Sequence, residues 1–129
     1  MNTGLGMDTS EDEQQRTWEH LYGDITSVLT RFGNEDHFGK GDYLLVDDNY
    51  GWQRHTIEVH KLHMLRPEIV AQLRRLLNAF PDWEIVMAVD VPGTELAWPR
   101  MGLTVRKDEV VDDLNREFLP EEIKRFQFG

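Results

Sequence analysis

Residues 83–91 read Trp-Glu-Ile-Val-Met-Ala-Val-Asp-Val, and this run decides the fold. It is nearly all apolar, which marks a central strand buried on both sides. Just upstream, Pro67 suits the first position of a helix. Ile69, Val70, Leu73, Leu76, Leu77 and Phe80 make the apolar face of that helix, and Gln72, Arg74, Arg75 and Asn78 make its wet face. Pro81-Asp82 ends it. Further upstream, residues 52–62 alternate, with Ile57 and Val59 on one side and Thr56 and Glu58 on the other. Strand 52–62, helix 67–80 and strand 83–91 form a strand–helix–strand crossover. Its two strands are predicted to be parallel, with a right-handed connection.

The rest of the chain is read outward from this unit. Tyr43-Leu-Leu-Val46 is a short apolar strand, and Asp47-Asp-Asn-Tyr-Gly51 is a turn cluster that joins it to strand 52–62 as a hairpin. Downstream, Pro92-Gly93 is a turn, and Met101, Leu103 and Val105 alternate as a fourth strand. Asp108 reads as the N-cap of a last helix with Val110, Val111, Leu114 and Phe118 inward. Pro120 breaks or restarts that helix before an apolar tail of Ile123, Phe126 and Phe128. At the N-terminal end, Ser10 and Glu13 form a capping box. Trp18, Leu21, Tyr22, Ile25, Val28, Leu29 and Phe32 share one face, so a helix is predicted from about 11 to 32. Residues 1–9 are expected to be disordered.

The fold class expected is therefore α+β: an N-terminal helix followed by two ββα units, giving a four-stranded mixed sheet with helices packed against it. Residues 10–129 form one domain. The predicted sheet core is Leu44, Val46, Ile57, Val59, Ile85, Met87, Val89, Leu103 and Val105, covered by Leu21, Ile25, Leu73 and Leu77.

Composition narrows function. The chain has 24 Asp+Glu against 14 Lys+Arg, a net charge of -10 at pH 7. Residues 1–24 hold six acids and one base, residues 25–80 hold seven of each, and residues 81–129 hold eleven acids and six bases. A field of that sign repels phosphate backbones and anionic lipid, which argues against nucleic-acid and membrane binding. It speeds encounter with a basic partner. The absence of cysteine rules out a disulfide framework, a thiolate nucleophile and Cys-ligated zinc, and fits a reducing cytoplasm. No apolar run approaches the roughly 20 residues of a membrane helix. The first residues have neither the basic nor the apolar region of a secretory signal.

Candidate chemistry is sparse. His55, His60 and His63 lie near Asp47 and Asp48, and these residue types bind zinc or iron. Strand parity separates them: His55 and His63 share a face and His60 takes the other. They are expected to be solvent-facing histidines, with no metal and no cofactor. The serines Ser10 and Ser27 lie in or beside the first helix, outside any nucleophile elbow. The acid pairs Asp47-Asp48, Asp112-Asp113 and Glu121-Glu122 diverge and make poor acid–base dyads. Gly39-Lys40-Gly41 sits in a glycine-rich stretch, residues 33–42, but it joins no strand to a helix and has Glu35 and Asp36 beside it, so it is a flexible connector and not a phosphate loop.

Loop aromatics carry more. Tyr50 and Trp52 at the first hairpin tip, and Glu95 with Trp98 in the long turn 93–102, suit a partner-binding surface of aromatic anchors and acidic rim. Trp98 also suits a core staple. In size, acidity and α+β layout the chain is similar to the immunity proteins of bacterial toxin systems, which block a partner by binding it. That resemblance implies a small acidic non-catalytic protein that binds another protein. Two alternatives stand beside it: a small ligand- or metal-binding domain or enzyme using the His55/His60/His63 region, and a self-associating accessory protein, for example a homodimer.

Overall fold

A computed structural model describes residues 3–46, 53–89 and 101–128, with side chains from Asp12 onward. The elements in order are α1 (Thr3–Leu29), β1 (Tyr43–Val46), β2 (Arg54–Val59), α2 (Pro67–Leu76), β3 (Glu84–Val89), β4 (Met101–Val105), β5 (Val110–Asp112) and α3 (Glu121–Lys124), with 3-10 turns at Leu62–Met64 and Arg116–Phe118. The class is α+β, as expected, with a five-stranded mixed sheet in the order β1-β2-β3-β4-β5.

The crossover is as predicted. β2 and β3 pair in parallel from Arg54↔Glu84 to Val59↔Val89, with α2 between them in sequence. α2 starts at Pro67 and stops at Leu76, and the chain then tightens into successive short-range bonds, Leu77 N–H to Arg74 O through Phe80 N–H to Leu77 O. The other neighbours are antiparallel. Leu21, Ile25 and Leu29 of α1 and Ile69 and Leu73 of α2 are fully buried against Ile57, Ile85, Met87 and Val105. α1 runs from Thr3, so Ser10 and Glu13 lie inside the helix and do not open it.

Two expectations are corrected. The helix predicted from Asp108 is instead β5, so the sheet has five strands and the second ββα unit does not form. Arg106 N–H bonds to Glu109 O at 2.9 Å, and the Arg106 guanidinium clasps the Glu109 carboxylate at 2.8 Å, closing a hairpin turn. The two β-branched valines that follow suit a strand better than a helix. The helical remainder is a 3-10 turn and the four residues of α3, and Phe118, expected inward, is 48% exposed. In β1 the parity is reversed: Tyr43 and Leu45 are buried, Leu44 and Val46 half-buried. Directly paired residues share a face of the sheet, and Tyr43 pairs with Val59 and Leu45 with Ile57. The inward Ile57 and Val59 therefore dictate which residues of β1 point inward.

Among the described residues the helices pack on the sheet face of Ile57 and Val59. α1, α2 and the C-terminal segment, through Leu119, Ile123 and Phe128, belong to a single hydrophobic cluster. Among the described residues no helix is long and apolar enough to cross a membrane.

Candidate functional site: a fastened loop presenting Phe38

The stretch between α1 and β1, residues 33–42, is not a loose connector. Its neck is closed by a reciprocal pair. Asn34 N–H donates to Asp42 Oδ2 at 2.8 Å, and Asp42 N–H donates to Asn34 O at 2.8 Å. The Asp42 carbonyl in turn accepts from His60 N–H (2.9 Å) and Lys61 N–H (3.1 Å), tying the neck to the end of β2. Higher in the loop, Glu35 forms a parallel bridge with Tyr43.

Two imidazole–carboxylate pairs fasten the same loop. His60 Nδ1 donates to Asp36 Oδ2 at 2.6 Å. His63 Nε2 donates to Asp42 Oδ1 at 2.9 Å, with Lys61 Nζ at 3.5 Å from the same oxygen. The Asn34 amide, then the His63 contact, holds the Asp42 carboxyl below its usual pKa against the opposing effect of burial. For Asp36, burial works against ionisation, but the Gly41 amide, His60 and the Gly39 amide outweigh it and the carboxyl again lies below its usual value. Both acids are thus held as charged acceptors at neutral pH.

The glycines make this geometry possible. Gly39 has φ +74°, a left-handed conformation that glycine adopts without strain. A Cβ on Gly41 would fall 2.4 Å from Asp36 Cα and N, so the two limbs of the loop touch backbone to backbone. At the top sits Phe38, 90% exposed, its ring 6.4 Å from that of His37. His37 itself lies 3.5 Å from Glu35.

The three sequence-predicted histidines do not converge. His55 is wholly buried, which corrects the expectation of a solvent-facing side chain. Its ring stacks on Trp18 (4.9 Å) and Trp83 (5.8 Å), and its Nε2 lies 2.9 Å from Trp18 O. The reason is register: His55 has the parity of Ile57 and Val59, the core face beneath α1. His60 and His63 each take a separate carboxylate, and His63 sits in a 3-10 turn, where strand parity does not apply. Among the described residues no group of three His, Cys, Asp or Glu is placed to hold a metal ion.

Tyr50, Trp52, Glu95 and Trp98 lie outside the described residues. Val46 and Arg54 lie at one end of the sheet, and Val89 and Met101 at the other. Phe38 was not singled out by sequence reasoning. The available signal was a lone aromatic in the polar, glycine-punctuated run Asp36-His-Phe-Gly-Lys-Gly41.

Beside this loop is a groove of about 720 Å³ between the start of α2 and the C-terminal segment. Leu62, Leu65, Pro67, Ile123 and Phe126 line it, and His63 and Arg66 stand at its wall.

Compared with protein-family models, with characterised proteins and with solved structures, the chain matches none.

Proposed function

We propose that the chain is a non-catalytic module that binds another protein, with Phe38 as its anchor. The observation that carries this reading is the pairing of a 90% exposed phenylalanine with a loop fastened at both limbs. An aromatic side chain on a preorganised loop loses little entropy on binding. Such residues supply most of the energy of small interfaces.

The partner is expected to be basic and to offer an apolar pocket. Glu35, Asp36 and Asp42 lie in the loop with Lys40; Asp36 and Asp42 are tied to His60 and His63, on a chain of net charge -10. Acid so placed steers association more than it adds affinity, and it makes the encounter salt-sensitive. An inhibitory, immunity-like role in a reducing cytoplasm fits this character. The test is capture of a partner by the native chain, followed by affinity measurement with Phe38→Ala. Binding should weaken by about 2 kcal/mol or more, and Glu35→Gln should mainly slow association. Equal affinity of native and Phe38→Ala proteins would move the interface elsewhere.

One observation favours a second reading. The groove beside His63 lies in the usual range of small-molecule sites, roughly 300–1,000 Å³, and its lining is mostly apolar. A small ligand-binding domain would use this wall. Saturable binding of an apolar fluorophore, lost in Ile123→Lys but retained in Phe38→Ala, would select that reading.

A further inference from the structure

α2 carries a polar stripe beside the β4–β5 hairpin. Ala71, Arg74, Arg75 and Asn78 are spaced i, i+3, i+4, i+7, so they lie along one side of the helix and its end. The turn after β4 presents Lys107, and Arg74 Nε–H donates to the Lys107 carbonyl at 3.3 Å. That bond holds the stripe against the turn. Gln127 and Phe128 of the C-terminal segment complete the wall. The result is a pocket of about 480 Å³, distinct from the apolar groove beside His63, although both touch Pro67.

The charge in this pocket runs against that of the whole chain. Three cations line it, Arg74, Arg75 and Lys107, and no carboxylate does. Neighbouring arginines are paired: Arg66 with Glu68 at 3.3 Å, and Arg106 with Glu109 at 2.8 Å. The three lining cations have no carboxylate partner among the described residues. With Glu68 and Glu109 so matched, Asp108 is the one acid left in α2 and the 106–109 turn. Set against Asp108, and against the roughly half negative charge at the end of α2, the three cations still leave an excess above one. Arginines in the last turn of a helix do offset its dipole, but that role leaves Lys107, on another element, without a reason.

We propose that this pocket binds a small soluble polyanion, a molecule carrying two or more phosphate or carboxylate groups. The donors suit an oxyanion. Arg75 and the Nη groups of Arg74 can each offer paired N–H bonds to two oxygens of one group. Lys107 adds a compact charge, and the Asn78 and Gln127 side-chain amides add neutral donors. Three cations exceed what one oxyanion needs, and the volume falls in the usual range of small-molecule sites. A recess lined by one sign of charge concentrates counter-ions. The net charge of -10 is screened beyond about 10 Å at 0.1 M salt, so the local cations govern a small ligand seated among them. A long polyanion or an anionic bilayer would still meet the surrounding acid. Phe38 takes no part, so the two proposals fail independently.

Isothermal titration calorimetry of the full chain with inorganic pyrophosphate and with citrate, at about 0.05 M NaCl, is the test. One saturable site per chain is expected for at least one of these anions, weakening as salt is raised to about 0.3 M. Arg75→Gln and Lys107→Gln should each weaken it by at least about fivefold, and together should abolish it, with folding checked by circular dichroism. Arg16→Gln, which removes an exposed cation of α1, should leave it unchanged. In amide correlation spectra the side-chain amides of Asn78 and Gln127 should shift along the same binding curve. No binding of either anion overturns the proposal, as does a site indifferent to both pocket variants. An equal loss in Arg16→Gln overturns it too, because binding would then follow overall charge. Capture by vesicles of mixed phosphatidylcholine and phosphatidylserine, with no binding of either free anion, overturns the soluble ligand.

Discussion

Replacing Asp42 should release the loop that holds Phe38. Its carboxylate accepts Asn34 N–H at 2.8 Å and His63 Nε2–H at 2.9 Å, and the residue is 9% exposed. Hydrogen bonds to a charged group contribute about 1.5–3 kcal/mol each when buried. His63 is 42% exposed at its side chain, so its share belongs near or below the low end. Asp42→Ala is therefore expected to cost about 2–3 kcal/mol at pH 7, read by urea unfolding. Asp42→Asn keeps the shape and one acceptor oxygen for the Asn34 amide, and should cost about half as much. A double-mutant cycle with His63→Gln should show a coupling of about 1 kcal/mol.

The sign of the pH dependence follows from the direction of the shift. The Asp42 carboxyl lies below its usual value in the folded protein. Its contribution is fully present above the unfolded value of about 4, and is lost as pH falls through the lower folded value. Native protein should lose this stability only in strong acid, and Asp42→Asn should flatten that acid limb. Backbone exchange at Asn34 should accelerate in both variants while the sheet core stays protected. A cost below about 0.5 kcal/mol for Asp42→Ala, with Asn34 still protected, would mean the neck is held without this carboxylate.

Other expectations follow from the same contacts. Leu73→Ala, at a fully buried position facing the sheet, should cost about 2–5 kcal/mol in urea unfolding, and a loss below half of one would mean that face of α2 is not in the core. Gly41→Ala places a Cβ 2.4 Å from Asp36 backbone atoms; the loop must shift, and the amide resonances of residues 35–42 should move with little change in the rest of the sheet. The Tyr43 hydroxyl is pushed up to about 12, chiefly by burial and then by Glu35. A raised value in the folded state means stability is intact below the unfolded value of about 10 and is lost as pH rises towards the folded one. Ultraviolet titration should find one tyrosine ionising late and together with unfolding; early ionisation of all three tyrosines in the folded protein would contradict its burial.

Much of the fold was legible because local and global signals agree in the middle of the chain. Pro67 at a helix start, an apolar stripe from Ile69 to Leu77 and the all-apolar run after Trp83 permit few arrangements other than a parallel crossover. The errors fall where local signals were silent or divided. Tyr43-Leu-Leu-Val46 is apolar at every position, so alternation says nothing about which side faces inward, and pairing to Ile57 and Val59 decides it. Asp108 is a good cap residue, but the Arg106–Glu109 clasp closes a turn across it, and Val110 and Val111 then find a partner strand at Leu103–Val105. Neither the clasp nor the partner is visible in a window of helical spacing.

The histidines show why a site is harder to read than a fold. By residue type they suggest a metal; by strand parity they divide between the two faces of the sheet. Each instead has a structural use set by distant sequence. His55 fills a slot between Trp18, 37 residues earlier, and Trp83. His63 reaches back 21 residues to Asp42, and His60 reaches Asp36. The last two contacts turn a glycine-rich run that reads as a loose connector into a fastened loop. A polar network that satisfies its members and fixes one conformation adds specificity more than net stability. The structural use of His60 and His63 lies in what they hold. They hold the loop that carries Phe38, the most exposed large apolar side chain among the described residues. The proposed partner contact rests on this pairing of an exposed phenylalanine with a fastened loop.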